Sequence, residues 1–343
     1  MDGLCATACP VYINTGDLVK RLRRENHSGF ANKIALVVSK NFKAVEFFAG
    51  IGLGVGAGIN SVFGKKAMIN ITKGIRKVAP SFPLWSTQLQ SKPGLPKTAA
   101  AVAEVVYFPA CISRLLGKGV NGKKNIMETF INVSRKAGVS VIIPDNIKGS
   151  CCGQIFSSKG FAGAYKHTAS DIINRMWEWT KQGTVPVVID VSSCAYTLHN
   201  IRHALTDENK KRFDILKIMD SVDYLHDLIL TRPMTVNKKG NIVLHPVCSL
   251  QKMGTQQKFV KIANTFAAKV TVPAHAGCCG MAGDRGFLFP ELTTSATHDE
   301  ATEVKQNNFE GYYSSTKTCE MAMTDAVKQN YESILYLVDE AIS

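Results

Sequence analysis

Ten cysteines are the residues of this 343-residue chain whose type and spacing point most directly to chemistry. Eight of them form two sets with one internal order: a lone cysteine, an adjacent pair followed by glycine, and a second lone cysteine. The first cysteine set is Cys111, Cys151, Cys152 and Cys194, and the second cysteine set is Cys248, Cys278, Cys279 and Cys319. Thiolates are soft ligands, and four of them commonly hold an iron–sulfur cluster. Each set therefore predicts a metal or cluster site.

The sequence around the two sets also repeats. Tyr-Phe-Pro-Ala precedes Cys111, and Leu-His-Pro-Val precedes Cys248. The glycine after each cysteine pair permits a bend and a close backbone approach, so that backbone N–H groups could donate to the sulfurs. Two alternatives stay open: buried structural cysteines, and zinc, which four thiolates also suit. The duplication counts against the first, and the lack of short paired spacings counts against zinc.

Short apolar runs alternate with amphipathic stretches from residue 104 onward, which predicts an α/β fold with mostly parallel sheets covered on both faces. The predicted strands are 105–108, 139–143 and 185–191 in the first half, and 242–245, 270–272 and 312–315 in the second half. The cysteines follow predicted strand ends, where α/β sheets place ligands. Each half is therefore expected to bring four thiols to one edge of its sheet.

The first eighty residues differ from the rest. Residues 15–79 show helical periodicity, and four prolines between 80 and 98 cannot continue a helix. The predicted domains are a helical region, a linker, a first module and a second module, at 1–79, 80–103, 104–235 and 236–343.

One apolar run, residues 44–63, could be considered for a membrane span. Glu46 and Asn60 interrupt it, and its glycines make it weakly hydrophobic. We therefore predict a buried or surface-docking helix. The net charge of +14 is spread along the chain, and no nucleic-acid-binding motif surrounds the densest basic cluster at residues 20–24. We expect no nucleic-acid partner.

The duplicated pattern resembles the cysteine-rich CCG domain of heterodisulfide reductase subunits and of the iron–sulfur subunit of glycolate oxidase. Further stretches resemble the C-terminal half of FAD-linked, iron–sulfur D-lactate (D-2-hydroxyacid) dehydrogenases. They are Cys-Ala-Thr-Ala-Cys-Pro at 5–10, Ile-Asn-Thr-Gly-Asp-Leu at 13–18, Pro-Leu-Trp at 83–85, Cys-Cys-Gly-Met-Ala-Gly at 278–283 and Pro-Glu-Leu at 290–292.

The resemblance implies the electron-transfer portion of such an oxidoreductase, which relays electrons from flavin to a quinone or cytochrome. It implies iron–sulfur cofactors, with FAD on a missing domain or partner, and no catalytic residue in this chain. Each module has one cysteine where some CCG modules have Cys-x-x-Cys, which favours [4Fe–4S] over a five-cysteine noncubane cluster. A stand-alone subunit like that of glycolate oxidase, and a metal-free scaffold that binds a flavoprotein, are the alternatives.

Cys5 and Cys9-Pro10 match the end of the bacterial ferredoxin run C-x2-C-x2-C-x3-C-P. The run's second cysteine would fall at Asp2 and its first before Met1. We expect a fragment of a longer protein with a third cluster ligated in part by Cys5 and Cys9; a degenerate site or two incidental cysteines are the alternatives. The expected location is cytoplasmic or mitochondrial, with peripheral membrane attachment as a further possibility.

His245 and His275 each lie three residues before a cysteine of the second set. Either side chain could ligate a cluster or donate to a sulfur. A polar cap on the site is the favoured interpretation for both.

Overall fold

The computed structural model describes residues 3–11, 13–98 and 103–342. Its amino-terminal part is an annex of five helices, which confirms the predicted helical character of this region. The annex helices are α1 (Leu4–Ala8), α2 (Thr15–Asn26), α3 (Gly29–Lys40), α4 (Phe42–Phe63) and α5 (Ala67–Arg76).

The first module follows the predicted alternation of strands and helices. Its elements are β1 (Val105–Phe108), α6 (Cys111–Leu116), α7 (Ile126–Lys136), β2 (Val141–Ile142), α8 (Gln154–Lys159), α9 (Ala162–Trp179), β3 (Val187–Ile189), α10 (Ser192–His199), α11 (Asp207–Ile215), β4 (Ile218–Asp220) and α12 (Ser221–Tyr224). A 3₁₀ turn at Ile201–Ala204 and a π-helical turn at Leu225–Ile229 complete it.

The second module repeats this plan. Its elements are β5 (Lys239–Leu244), α13 (Cys248–Met253), α14 (Gln256–Phe266), β6 (Ala267–Thr271), α15 (Arg285–Leu288), α16 (Pro290–Ala296), α17 (His298–Lys305), β7 (Gly311–Ser314), α18 (Lys317–Val327), β8 (Tyr331–Ser333) and α19 (Ile334–Ala341).

Both sheets are four-stranded and wholly parallel, and they share one topology. The strand orders are β2-β1-β3-β4 and β6-β5-β7-β8. In each sheet the second strand lies on one side of the first strand, and the third and fourth strands lie on its other side. The topological switch point is therefore between the first and third strands. The α/β fold with two repeated modules is thus confirmed, while the domain boundaries at residues 79, 103 and 235 stay predictions.

The hydrophobic core runs through both modules. β1 is buried along its whole length, as expected for a parallel strand covered on both faces. Between the modules, α7 packs on α19, and α10 packs on α13. Buried hydroxyls of Ser192 and Ser315 meet across this interface at 2.9 Å. The two modules therefore share a continuous interior.

Residues 80–98, which we call the strap, contain neither helix nor strand, as predicted. Several of its side chains are nevertheless half buried. The Trp85 ring occupies the place that a side chain at Gly56 of α4 would fill, and the Leu84 N–H donates to the Phe287 carbonyl at 2.7 Å. The strap is therefore not a freely exposed linker, and it ties α4 to the second module.

Within the described residues, α4 alone has the length and apolar composition to cross a membrane. Only 11% of its most apolar window is buried. Of the two predicted alternatives, a buried helix and a surface-docking helix, the exposure of α4 excludes the first and fits a surface helix.

Candidate metal centres

The first cysteine set lies at the carboxyl edge of the first sheet. Cys111 opens α6 just after β1, the Cys151-Cys152 pair ends the loop after β2, and Cys194 is in the first turn of α10 after β3. Cys151 interacts with both Cys111 and Cys152. Cys152 interacts in turn with Cys194. The structure thus brings these four predicted residues together.

The second cysteine set has the same placement on the second sheet. Cys248 opens α13 after β5, the Cys278-Cys279 pair lies in the loop after β6, and Cys319 is in the first turn of α18 after β7. The sulfurs of Cys279 and Cys319 are 2.8 Å apart, and Cys278 interacts with Cys248. All ten cysteines of the chain lie in the described ranges, and none forms a disulfide.

The glycine after each pair has the conformation that the sequence predicted. Gly153 and Gly280 have φ angles of 83° and 73°, in the left-handed region that glycine tolerates best. Their backbone N–H groups donate to Cys151 Sγ and Cys278 Sγ, in each case at 3.4 Å. Each glycine therefore turns the chain and supplies a donor to a sulfur.

We expect Gly153→Ala and Gly280→Ala each to lower the free energy of unfolding by about 1–2 kcal/mol, because a Cβ strains a left-handed backbone. At Gly280 the new Cβ would also lie 2.8 Å from the Leu292 carbonyl oxygen. Urea denaturation measures the change. Gly163→Ala, in α9 with open space around it, is the matched control and should leave stability unchanged or slightly raised. Equal effects at all three positions would contradict the assigned role.

A buried histidine completes the second set. His245 follows β5, and its Nδ1 lies 2.8 and 2.9 Å from the two carboxylate oxygens of Glu300 on α17. Its Nε2 is buried without a hydrogen-bond partner among the described residues. One ring nitrogen of His245 and the sulfurs of Cys279 and Cys319 lie within 4.8 Å of one another. A carboxylate that fixes one imidazole nitrogen while the other faces soft donors is typical of metal sites.

This histidine changes the electrostatics of the second set. Burial by itself would lower the pKa of His245. The charge of Glu300, the nearby Cys279 sulfur and the hydrogen bond to Glu300 together outweigh burial and raise the pKa to about 10. The hydrogen bond between Cys279 and Cys319 and the nearby His245 together outweigh burial and lower the pKa of Cys279. This shift favours the thiolate of Cys279, which is the form that binds metals.

The first set differs, because the charge of Arg114 does not offset the burial and mutual interactions of its thiols. The hydrogen bond to Cys151, together with burial, raises the pKa of Cys111 well above the usual thiol range. The pKa values of the other three thiols in this set are raised as well. A metal that binds here must displace protons, so its affinity should rise with pH.

Arg114 holds the backbone beside two cysteines of the first set in place. Its buried guanidinium donates to the carbonyls of Pro109 and Ser150, which lie just before Cys111 and Cys151. It also donates to both carboxylate oxygens of Glu46 on α4, at 2.7 Å each. A single side chain therefore holds two cysteine loops and one annex helix together.

Asp190 has a similar positioning role at the end of β3. Its carboxylate accepts from the backbone N–H of Ala110, the residue before Cys111, at 2.9 Å. It also accepts from the Tyr107 hydroxyl at 2.7 Å. Burial raises the pKa of Asp190, and these hydrogen bonds offset part of that rise. Asp190 thus links the third strand of the sheet to the first cysteine.

Helix α10 separates the two cysteine sets. Cys194 on this helix belongs to the first set. Its neighbours Ser193, Tyr196 and Thr197 line a cavity of about 120 Å³. All four cysteines of the second set line the same cavity. The two sets therefore lie against the same helix.

The amino-terminal cysteines lie beside the second module. Helix α1, which carries Cys5, contacts α13, which begins at Cys248. The Cys5 sulfur lies 3.2 Å from Thr15 Oγ1. Cys9 follows α1 and is half buried. A role for Cys5 and Cys9 as cluster ligands stays a prediction.

The donors present fit a thiolate-bound metal or iron–sulfur cluster. Each set offers four convergent thiols with a backbone N–H at one sulfur, and the second set adds the unpartnered buried nitrogen of His245. His275, in contrast, is exposed and pairs with Glu303. The polar-cap interpretation therefore fits His275 poorly, and His245 is the site histidine.

Two thiol sites at the switch points of duplicated parallel sheets define a metal-binding or iron–sulfur protein of the electron-transfer class. A family model described as a cysteine-rich domain, CCG, matches residues 105–199 and again residues 242–324. The two matches cover just over half of the chain and include all eight cysteines of the two sets. The chain belongs to the CCG cysteine-rich domain family.

Sequence reasoning missed the positioning roles of Arg114, Glu46 and Glu300. Glu46 carried a signal, because it is the sole acidic residue in an apolar helical run and such a residue needs a buried partner. Arg114 lies three residues after Cys111, so the two residues share one face of α6. This spacing does not indicate which residue Arg114 pairs with. Glu300 had no local signal, since only the tertiary fold brings it to His245.

Proposed function

We propose that this chain is the iron–sulfur electron-transfer portion of an FAD-linked D-2-hydroxyacid dehydrogenase of the D-lactate type. It would relay electrons from the flavin to a quinone or cytochrome. The observation that carries the proposal is the placement of two four-cysteine sets on either side of α10. Electron transfer slows steeply with distance, and two sites that share one helix suit a relay.

Each part of the chain has a task in this proposal. The two cysteine sets would hold one cluster each, and a [4Fe–4S] cluster suits four thiolates. When bound, such a cluster accepts and releases single electrons, which couples a two-electron flavin to one-electron acceptors. Gly153 and Gly280 donate to sulfurs, and five of the eight cysteines in the two sets are buried. FAD would be bound by another domain or by a partner subunit.

The test is reduction of the anaerobically reconstituted full chain. Dithionite and photoreduced free flavin should bleach its iron–sulfur absorbance, and D-lactate alone should not. The reduced chain should then pass electrons to a soluble quinone. Cys152→Ser and Cys279→Ser should each lower quinone reduction at least tenfold, because each removes a thiolate from one set. Ile215→Ser, on a helix without cysteines, is the control and should behave like the parent chain.

Other outcomes would overturn the proposal. A chain that binds no iron after reconstitution would be a scaffold. A chain that oxidises D-lactate without added flavoprotein would contain its own substrate site. Normal electron transfer in both serine variants would show that these cysteines are not part of the relay. Efficient coupling to a glycolate-oxidising flavoprotein but not to a D-lactate-oxidising one would favour the glycolate oxidase type of subunit.

A further inference from the structure

Helix α4 presents an apolar face to solvent. Phe48, Ile51, Val55 and Val62 recur at helical spacing along one side, and their exposed fractions run from 46% to 76%. The opposite side packs on the protein through Glu46, Gly50 and Gly56. Soluble proteins seldom expose a contiguous apolar face of this kind unless it meets a partner or a membrane.

The adjoining annex helices repeat the pattern. α3 exposes Phe30, Ile34 and Val37, and the α5 segment exposes Ile71, Ile75 and Val78. In each case the spacing is that of one helix face. α3 contacts α4, and α4 contacts α5, so the three helices form one group. Most of the large exposed apolar side chains of the described residues belong to the annex and the start of the strap.

The charge of this group has one sign. Residues 28–79 contain eight lysines and arginines but a single acidic residue, Glu46. Glu46 is bonded to Arg114, so its charge is already neutralised. Lys40 and Lys43 flank the start of α4, and Lys65 and Lys66 follow its end, all of them exposed. Exposed apolar faces bordered by cations complement a surface that is apolar inside and anionic outside.

The attachment of α4 determines how it could meet such a surface. The Glu46–Arg114 pair, the Trp85 ring against Gly56 and the Lys92 side chain against Gly50 fix three points along its inner side. To span a bilayer, α4 would have to leave these contacts and carry Glu46 into hydrocarbon, which is costly. With the contacts in place, α4 can lie only along the surface of the protein.

We infer that α3, α4 and α5 form a membrane-docking surface that lies in the interface of an anionic bilayer without crossing it. The apolar faces insert among the acyl chains, and the lysines contact the anionic headgroups. Docking of this kind holds the chain at the surface in which lipid-soluble electron carriers reside. The inference does not depend on the proposed function, since it rests on exposed side chains and charge.

The test is co-flotation of the purified full chain with phosphatidylcholine vesicles prepared with and without phosphatidylglycerol. Binding should require the anionic lipid and should weaken as salt is raised. Lys65→Glu/Lys66→Glu should reduce the partition coefficient at least tenfold through lost headgroup attraction. Phe48→Ser/Val62→Ser should reduce it by a similar factor through lost insertion.

Two matched variants control for general effects. Lys210→Glu/Lys211→Glu reverses the same number of charges on α11, and Ile215→Ser replaces one exposed apolar side chain there with serine. Both variants should bind like the parent chain. Circular dichroism checks that every variant is folded. Binding to neutral vesicles alone, binding that resists alkaline carbonate extraction as a spanning helix does, or formation of a dimer through this surface without vesicle binding would each overturn the inference.

Discussion

Arg114→Met should lower the free energy of unfolding by about 3–5 kcal/mol, the usual cost of removing one partner of a buried ion pair. Methionine fills much of the same volume, so the loss comes from polar groups left without a partner. Those groups are the Glu46 carboxylate, which is 12% exposed, and the carbonyls of Pro109 and Ser150. The two cysteine loops that these carbonyls begin should also loosen, and the first set should lose its metal before the second.

The same ion pair should make stability depend on pH. Burial disfavours the charged form of Glu46, but the Arg114 guanidinium and the Gly149 N–H outweigh burial and lower the pKa of Glu46. A carboxyl group whose pKa is lowered by folding stabilises the protein at pH values above its unfolded-state pKa of about 4.3. This contribution is lost as the pH falls through the folded-state pKa. Arg114→Met should therefore flatten the acid limb of the stability curve.

Urea denaturation of the chain across the acid range measures both effects. Arg202→Met is the matched control, because Arg202 also makes a bidentate pair, with Asp214, but on the exposed surface. Exposed pairs contribute little, so this variant should unfold like the parent chain. Similar losses from Arg114→Met and Arg202→Met would show that burial of the pair is not the cause.

His245→Phe should lower the reduction potential of the second site by about 60–130 mV. The range follows from the 1.5–3 kcal/mol of a hydrogen bond to a charged group and about 59 mV per tenfold change for one electron. The positive imidazole beside Cys279 favours the more negative, reduced state, and phenylalanine removes that charge. Phenylalanine is a suitable replacement because the first module has Phe108 before Pro109, at the position that corresponds to His245 before Pro246.

Anaerobic potentiometric titration followed by electron paramagnetic resonance gives the potential of each site. Glu300→Gln should shift the second site in the same direction by less, since the imidazole stays but loses its carboxylate partner. His275→Phe is the matched control and should leave both potentials unchanged, because His275 is exposed and bonded to Glu303. An unchanged potential in His245→Phe would remove this histidine from the site.

The part of the fold that repeats along the chain could be predicted from the sequence. Cys111 and Cys248 follow strongly apolar runs, and parallel strands end at a common edge. Strands β4 and β8 were not predicted, because Ile218-Met219-Asp220 and Tyr331-Glu332-Ser333 are three residues long and show no clear period. Between Pro290 and Lys305 the chain forms two short helices, α16 and α17, with a break at Thr297.

The thiols of the site could be predicted, but the groups that tune and hold them could not. Two adjacent cysteines followed by glycine can be recognised from three consecutive residues. Gly153 and Gly280 adopt the positive φ expected of them. Glu300 is 55 residues from His245, and Glu46 is 68 residues from Arg114. Sequence periodicity describes residues that are neighbours within one helix or strand. It therefore cannot predict side-chain pairs between elements that are distant in the sequence.

Helix α10 has a consequence for how this chain can be divided. Tandem modules that arise by duplication are usually separable, since each carries its own sheet and core. Here a helix of the first module forms one wall of the cavity around the second cysteine set. A second module inherited alone would open that cavity and leave its thiolates accessible to dioxygen. The pair of modules is then the smallest unit that recombination could transfer with the wall of this cavity intact.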